Sequence, residues 1–173
     1  MKEILYLGIF LAVIAAIAGS MLSITYNSTF QRIEDIKAQE LRDSLKSIIP
    51  EADIFKEKDP GRYIGYRGSL EVGEAKKIKV KGYSSNIELL VGIDKYGKIS
   101  GTQILYIRET PGLGQNADDQ KFLSQFKGKT IDDKLKAKED VSAIAGATIT
   151  SQAIATGVRQ ALEQFKGSAG QQK

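Results

Sequence analysis

Apolar and polar positions divide the chain into two regimes. Ile4–Ile24 reads ILYLGIFLAVIAAIAGSMLSI, 21 residues without a charge. As an α-helix rising ~1.5 Å per residue, such a run is about 30 Å long, the thickness of a bilayer's hydrocarbon core. Only Lys2 and Glu3 precede it among the ionised residues. A retained anchor, a cleaved signal peptide and a buried helix of a soluble domain all compete for this pattern. Small residues at Ala16 and Ala18 suit a cleavage site. The run nevertheless exceeds the ~7–15 apolar residues of a signal sequence, and its basic start is weak, so the anchor is the better reading. Lys2 on one side and Arg32 and Lys37 on the other leave the orientation undecided by charge.

After the anchor the period changes. Phe30, Ile33, Ile36, Leu41, Leu45 and Ile48 recur at roughly helical spacing, and Pro50 closes the run. This predicts an amphipathic helix, followed by a polar connection over residues 51–60. Residues 61–68 and 74–83 alternate as short strands. Residues 86–110 hold the best hairpin: Ile87, Leu89, Val91 and Ile93 alternate, DKYGK turns, and Ile99, Ile104 and Tyr106 return. Such a pair is expected to bury one face and wet the other. PGLGQNADD at 111–119 reads as a loop, and 118–129 as a short helix with Phe122, Leu123 and Phe126 inward. A charged connection at 130–142 precedes a last helix over about 151–166, striped by Ile154, Val158, Ala161, Leu162 and Phe165. The order of elements predicts an α+β chain: one N-terminal transmembrane helix, then a single domain with an antiparallel sheet packed by helices. The expected divisions are 1–27 anchor, 28–60 amphipathic helix and connection, 61–166 folded domain, and 167–173 loose polar tail.

Composition narrows the chemistry. There is no Cys and no His, which removes disulfides, thiolate nucleophiles, Ser-His-Asp and Cys-His catalysis, and haem or iron–sulfur ligation by those residues. No set of metal ligands stands out. The net charge of +4 is modest, with no basic run interleaved with aromatics, so nucleic acid is not an expected partner. Any chemistry would have to use carboxylates, Lys, Tyr or hydroxyls, or else a borrowed cofactor.

One stretch has no place in this pattern of strands and stripes. AIAGATITS, residues 143–151, has no charge and no ring, little bulk, and several hydroxyls. It leads into the last helix, whose first N–H groups lack partners and carry partial positive charge. A phosphate suits that position, and Gly146 and Ala147 would let a bulky ligand approach the backbone. Ordinary capping by Thr150 and Ser151 with tight helix packing explains the same residues without a ligand.

GATITS at 146–151 resembles the flavinylation motif of the FMN-binding domain family, and ETPGLG at 109–114 resembles that family's second signature. With the hairpin between them and the N-terminal anchor, the resemblance covers roughly residues 1–166. It extends to the G subunit of the Rnf complex and to the C subunit of the sodium-translocating NADH:quinone oxidoreductase. The resemblance implies FMN joined through a phosphoester to Thr148, attached by a separate flavin transferase that uses FAD and Mg²⁺. Thr150 and Ser151 would then donate hydrogen bonds to the phosphate, with Gly146 and Ala147 giving steric room. Glu109, Thr110, Gly112, Leu113 and Gly114 would wall the ring, and Tyr83 and Tyr106 are aromatic candidates for contact with it. The implied role is an electron-transfer subunit of an ion-translocating ferredoxin:NAD oxidoreductase, with no independent catalytic activity. Its partners would be other membrane and redox subunits. It would lie in a bacterial or archaeal cell membrane, spanning it once, with the soluble domain on the extracytoplasmic side. The motif departs from the family's D-A-x-S-G-A-T arrangement: Ser142 stands at the Asp position, Ala145 at the Ser position, and Asp140 lies two residues earlier. Those departures motivate an alternative, a membrane-tethered non-redox module that binds a ligand or scaffolds a complex.

Overall fold

The computed structural model describes residues 2–169, including all side chains except those of residues 27, 28 and 167–169. The chain divides into two units, Met1–Glu40 and Leu41–Lys173. Helix α1 spans Lys2–Ile48, so anchor and amphipathic segment form one element rather than two. In the first unit its apolar side chains are bare: Leu7, Phe10, Val13, Ile17 and Leu22 are all exposed. This is the one helix among the described residues long and apolar enough to cross a membrane. Its hydroxyls are satisfied within the helix, Ser20 Oγ donating to Ala16 O at 2.7 Å and Thr25 Oγ1 to Met21 O at 2.9 Å. A hydrocarbon surround would require that, because it offers no water as a partner.

The second unit is built on a five-stranded antiparallel sheet in sequence order, β1 (Ile54–Asp59), β2 (Arg62–Arg67), β3 (Leu70–Lys81), β4 (Asn86–Asp94) and β5 (Ile99–Tyr106). The expected polar connection at 51–60 is therefore mostly a strand. β1 pairs with β2 from Ile54↔Tyr66 to Asp59↔Arg62, and its side chains are almost all exposed. An edge strand needs only a neighbour's backbone, and charges on it discourage further pairing.

The hairpin forms as expected, with Asp94 Oδ1 accepting the Tyr96 and Lys98 amides at 2.8 and 3.0 Å in the turn. Its expected wet face is only partly wet: Asn86 and Tyr106 are exposed and Glu88 and Gln103 half-buried, but the middle is covered. On one side Ile87, Leu89, Val91 and Ile93 join Ile78, Val80, Ile99 and Ile104 beneath α3 (Thr148–Ala169), which contributes Ile154, Ala155, Val158, Ala161 and Leu162. On the other side Leu90 and Ala75 pack against Leu45, Ile48 and Ile49, from the end of α1 and just past it. Gly92 and Gly101 are cross-strand partners there. A Cβ on Gly101 would stand 2.9 Å from Ile48 Cα, and one on Gly92 would stand 3.0 Å from Ile48 O. Both bare positions are what let the helix end reach the sheet.

The helical face of the sheet is completed by a 3-10 turn at Gly114–Asp118, a one-turn helix α2 (Gln120–Leu123) and a second 3-10 turn at Ser124–Phe126. α3 begins three residues earlier than its apolar stripe implied and continues through residue 169; residues 170–173 of the expected tail lie outside the described residues.

Candidate functional site

Three segments meet at the N-terminal end of α3: the turn after β3 at residues 82–85, the loop after β5 at 109–114, and residues 146–150. Glu109 joins them. Its side chain is 6% exposed. Oε1 accepts the Ser84 and Ser85 amides, each at 3.0 Å, and Oε2 accepts the Thr150 hydroxyl at 3.1 Å. Burial alone would push the carboxyl pKa up; the bonds from Ser85, Ser84 and Thr150 outweigh it and hold the pKa below the ordinary value. Glu109 is therefore an ionised group fixed inside the protein, clamping two loops to a helix.

Glycines set how closely these segments approach. A Cβ on Gly114 would lie 2.8 Å from Glu109 Cβ and 2.9 Å from Thr150 Oγ1. Gly146 has φ +74°, a left-handed conformation costly for other residues, and a Cβ there would meet Leu113 Cδ2 at 2.8 Å. Leu113 thus rests on Gly146, and the two sequence motifs are in direct contact.

Thr148 opens α3 and is half-buried. Ser151, fully buried, fastens the approach to it: its hydroxyl donates to Ala147 O at 2.9 Å and accepts the Ile144 amide at 3.0 Å. Two clefts flank Thr148 and share it with Ile149. One, of about 400 Å³, is lined by Glu109, Thr110, Leu113, Gly114, Gly146, Ala147, Thr150 and Tyr83 besides the shared pair. The other, of about 610 Å³, lies between α3 and the end of β3.

The structure brings eight of the ten residues singled out in sequence into the smaller cleft; Gly112 and Ser151 do not line it. Thr150 lines it with its hydroxyl already bound to Glu109. Tyr83, 68% exposed, stands at its wall, whereas Tyr106 does not. Ile149 escaped the sequence reading: it is 58% exposed and borders both clefts. An isoleucine left bare at a helix start is its only signal. Asp140 is not at the cleft. Its carboxylate accepts the Lys136 amide at 2.8 Å, the Leu135 amide at 3.0 Å and Lys129 Nζ at 3.0 Å. Burial raises its pKa, these partners lower it further, and the result is about 2. Ser142 is held through its backbone, its amide donating to Gln125 Oε1 at 2.7 Å.

The geometry fits a flat phosphorylated ligand. The smaller cleft falls within the ~300–1,000 Å³ of small-molecule sites. Its mouth offers Tyr83, Leu113 and Ile149 as apolar surfaces, its wall has almost no side chain at Gly114, Gly146 and Ala147, and the amides of a helix start stand at one end.

Comparison with known proteins bears on the same residues. Residues 82–163 match the FMN-binding domain. The chain is 33% identical to the G subunit of the proton-translocating ferredoxin:NAD(+) oxidoreductase complex of Clostridium ljungdahlii, over 89% of this chain and 87% of that one. It is 30% identical to the G subunit of the ion-translocating oxidoreductase complex of Methanosarcina acetivorans, over 98% of each. The chain belongs to the family of G subunits of ion-translocating oxidoreductase complexes. Another family member, from Acetobacterium woodii, is 29% identical over 95% of this chain and is named for Na(+) translocation, so relatives at similar distance differ in their ion. The crystal structure of Shewanella oneidensis NqrC has a similar fold, with TM-score 0.50 and 25% identity over 65% of this chain and 64% of that one.

Proposed function

We propose that this chain is a membrane-anchored flavoprotein subunit that carries electrons through FMN bound covalently to Thr148, within an Rnf-type complex. The observation that carries the reading is the position of Thr148. Its residue opens α3 at the edge of a cleft walled by both motifs of an FMN-binding domain. When bound, FMN supplies the redox chemistry, accepting and releasing electrons at its ring.

The chain's own residues bind and orient. The Thr148 hydroxyl is the attachment oxygen. FAD is FMN joined to AMP, so a transferase that moves FMN onto Thr148 forms the Thr–O–P bond, breaks the bond between the two phosphates and releases AMP. The phosphodiester left behind keeps a negative charge, which the helix N-terminus favours. Leu113, Ile149 and Tyr83 give the ring apolar surfaces, while Gly114 and Gly146 let it approach the backbone. Thr150 and Ser151 act behind the site, Thr150 by tying α3 to Glu109 and Ser151 by fixing the approach to the helix. No side chain needs to act as a general acid or base in this role, which is consistent with a chain lacking His and Cys. The α1 segment Ile4–Ile24 is the single membrane span, with the second unit on the extracytoplasmic side and other subunits of the complex as partners.

Intact-mass measurement of the chain purified from a host that supplies the transferase tests this. The expected result is the polypeptide mass plus one FMN less water, with ultraviolet fluorescence of the denatured band, both abolished in Thr148→Val. A wild-type chain weighing only what its amino acids weigh overturns the proposal.

A further inference from the structure

The larger cleft lies along a strand edge with which no strand among the described residues pairs. β2 pairs with β3 only as far as Arg62↔Lys76, and Gly61 O then accepts the Lys77 amide at 2.7 Å. β3 runs on to Lys81, paired on its other side with β4 as far as Lys81↔Asn86. Main-chain groups alternate direction along a strand. Lys79 and Lys81 therefore send their N–H and C=O the same way as Lys77, away from β4, on the edge that lines the cleft. Beside this edge runs the cleft of about 610 Å³, bounded by Val80, by Gln152, Ala153, Thr156 and Gln160 of α3 and by Ala137, and reaching Thr148 and Ile149.

The edge is also charged. Lys77, Lys79 and Lys81 project from the face opposite α3. Glu88 is their one acidic partner among the described residues, at 2.8 Å from Lys77 and 3.8 Å from Lys79. Three ammonium groups against one carboxylate leave a positive surplus, greatest at Lys81, which has no ion-pair partner among the described residues.

We propose that the open end of β3 takes an extended acidic segment of another subunit of the complex as an additional strand. This rests on the assignment to a complex made above. Main-chain hydrogen bonds to Lys79 and Lys81 would supply affinity, and alternation would supply selectivity. Residues of the added strand on one face would carry Asp or Glu towards Lys79 and Lys81. Those on the other would be small or apolar, to fit between Val80 and Ala153. Because the cleft reaches Thr148, a segment seated in it brings the partner subunit alongside the flavin attachment point, where electrons have to cross between subunits.

The test uses the intact complex, purified through a tag on this chain, and compares amide hydrogen exchange in the peptide spanning residues 77–82 with that in the chain alone. The expected result is exchange slowed by about tenfold or more in the complex, as for amides newly paired in a sheet. Lys81→Glu, a surface change, is expected to lower retention of the other subunits and restore fast exchange, with the flavin mass unchanged. Lys79→Pro removes an outward donor without touching the pairing to β4, and is expected to do the same. Equal exchange in complex and free chain overturns the proposal, as does full subunit retention by both variants: the lysines would then only guard a bare edge. A wild-type chain that assembles with no other subunit overturns it too. A chain that carries flavin but leaves this edge unprotected sinks only the docking proposal; a protected edge on a chain without flavin sinks only the flavin assignment.

Discussion

Replacing Glu109 by Gln isolates what its charge does. Gln keeps the shape and an acceptor oxygen for the Ser84 and Ser85 amides. A hydrogen bond to a charged acceptor contributes about 1.5–3 kcal/mol against about 1 kcal/mol for a neutral pair. Across the three bonds to this carboxylate the loss is about 3 kcal/mol. Relief from burying a charge returns part of that, leaving a net cost of about 2 kcal/mol. For a unit the size of Leu41–Lys173, at about 4 °C per kcal/mol, Tm should fall by roughly 8 °C at pH 7. The pH dependence has a definite sign. The folded carboxyl has its pKa lowered from 4.5, so its contribution is complete above that pH and lost as pH falls through the lower folded value. The wild-type chain should therefore lose its advantage over Glu109→Gln in acid, and melting curves of both proteins from pH 7 down to pH ~3 measure it. In the flavin-loaded protein the same substitution should raise the midpoint potential, because a fixed negative charge in the cleft wall opposes the addition of electrons. Equal melting temperatures at pH 7 would refute the electrostatic argument. A gap that persists unchanged in acid would show that shape, not charge, is what Glu109 supplies.

Asp140→Asn should cost about 2 kcal/mol at neutral pH, from a pKa displaced from 3.8 to about 2. That cost is complete above pH ~4 and disappears as pH falls towards 2, which denaturant titrations at several pH values would show. Gly157→Ala should destabilise by about 1–3 kcal/mol although alanine is the better helix former, because its Cβ would stand 2.5 Å from Leu89 Cδ1 and 3.0 Å from Val80 Cγ1; a rise in Tm would contradict this packing. Gly146→Ala should lower the fraction of chain carrying flavin, read by intact mass, by straining φ and displacing Leu113, while Ala145→Gly should leave that fraction unchanged.

Legibility in the sequence followed the physics of each element. The apolar run of α1, the β4–β5 hairpin and the stripe of α3 were readable because each is a periodic pattern driven by burial. β1 was not, because IFKEKD owes its conformation to the backbone of β2 and not to a buried face. The second core was hidden because Leu90 breaks the alternation of β4, and only the end of α1, distant in sequence, explains a buried residue there. At the site, the small residues around Thr148 were conspicuous as composition. The tie between Glu109 and Thr150 was not, since nothing in ETPGLG or GATITS alone says that one motif's carboxylate accepts the other's hydroxyl. Nor does the sequence around Asp140 announce its partners, the Leu135 and Lys136 amides, because they are presented by a leucine at φ 48°.

The bare pair Gly92 and Gly101 beneath Ile48 has a practical consequence for anyone trimming the molecule. The tempting cut, removing all of the long N-terminal helix to obtain a water-soluble fragment, would uncover Leu90, Ala75 and Leu105 and expose a greasy floor across the middle of the sheet. A fragment meant to stay soluble should instead start upstream of Leu41, giving up the apolar run Ile4–Ile24 and keeping Leu45, Ile48 and Ile49 over that floor.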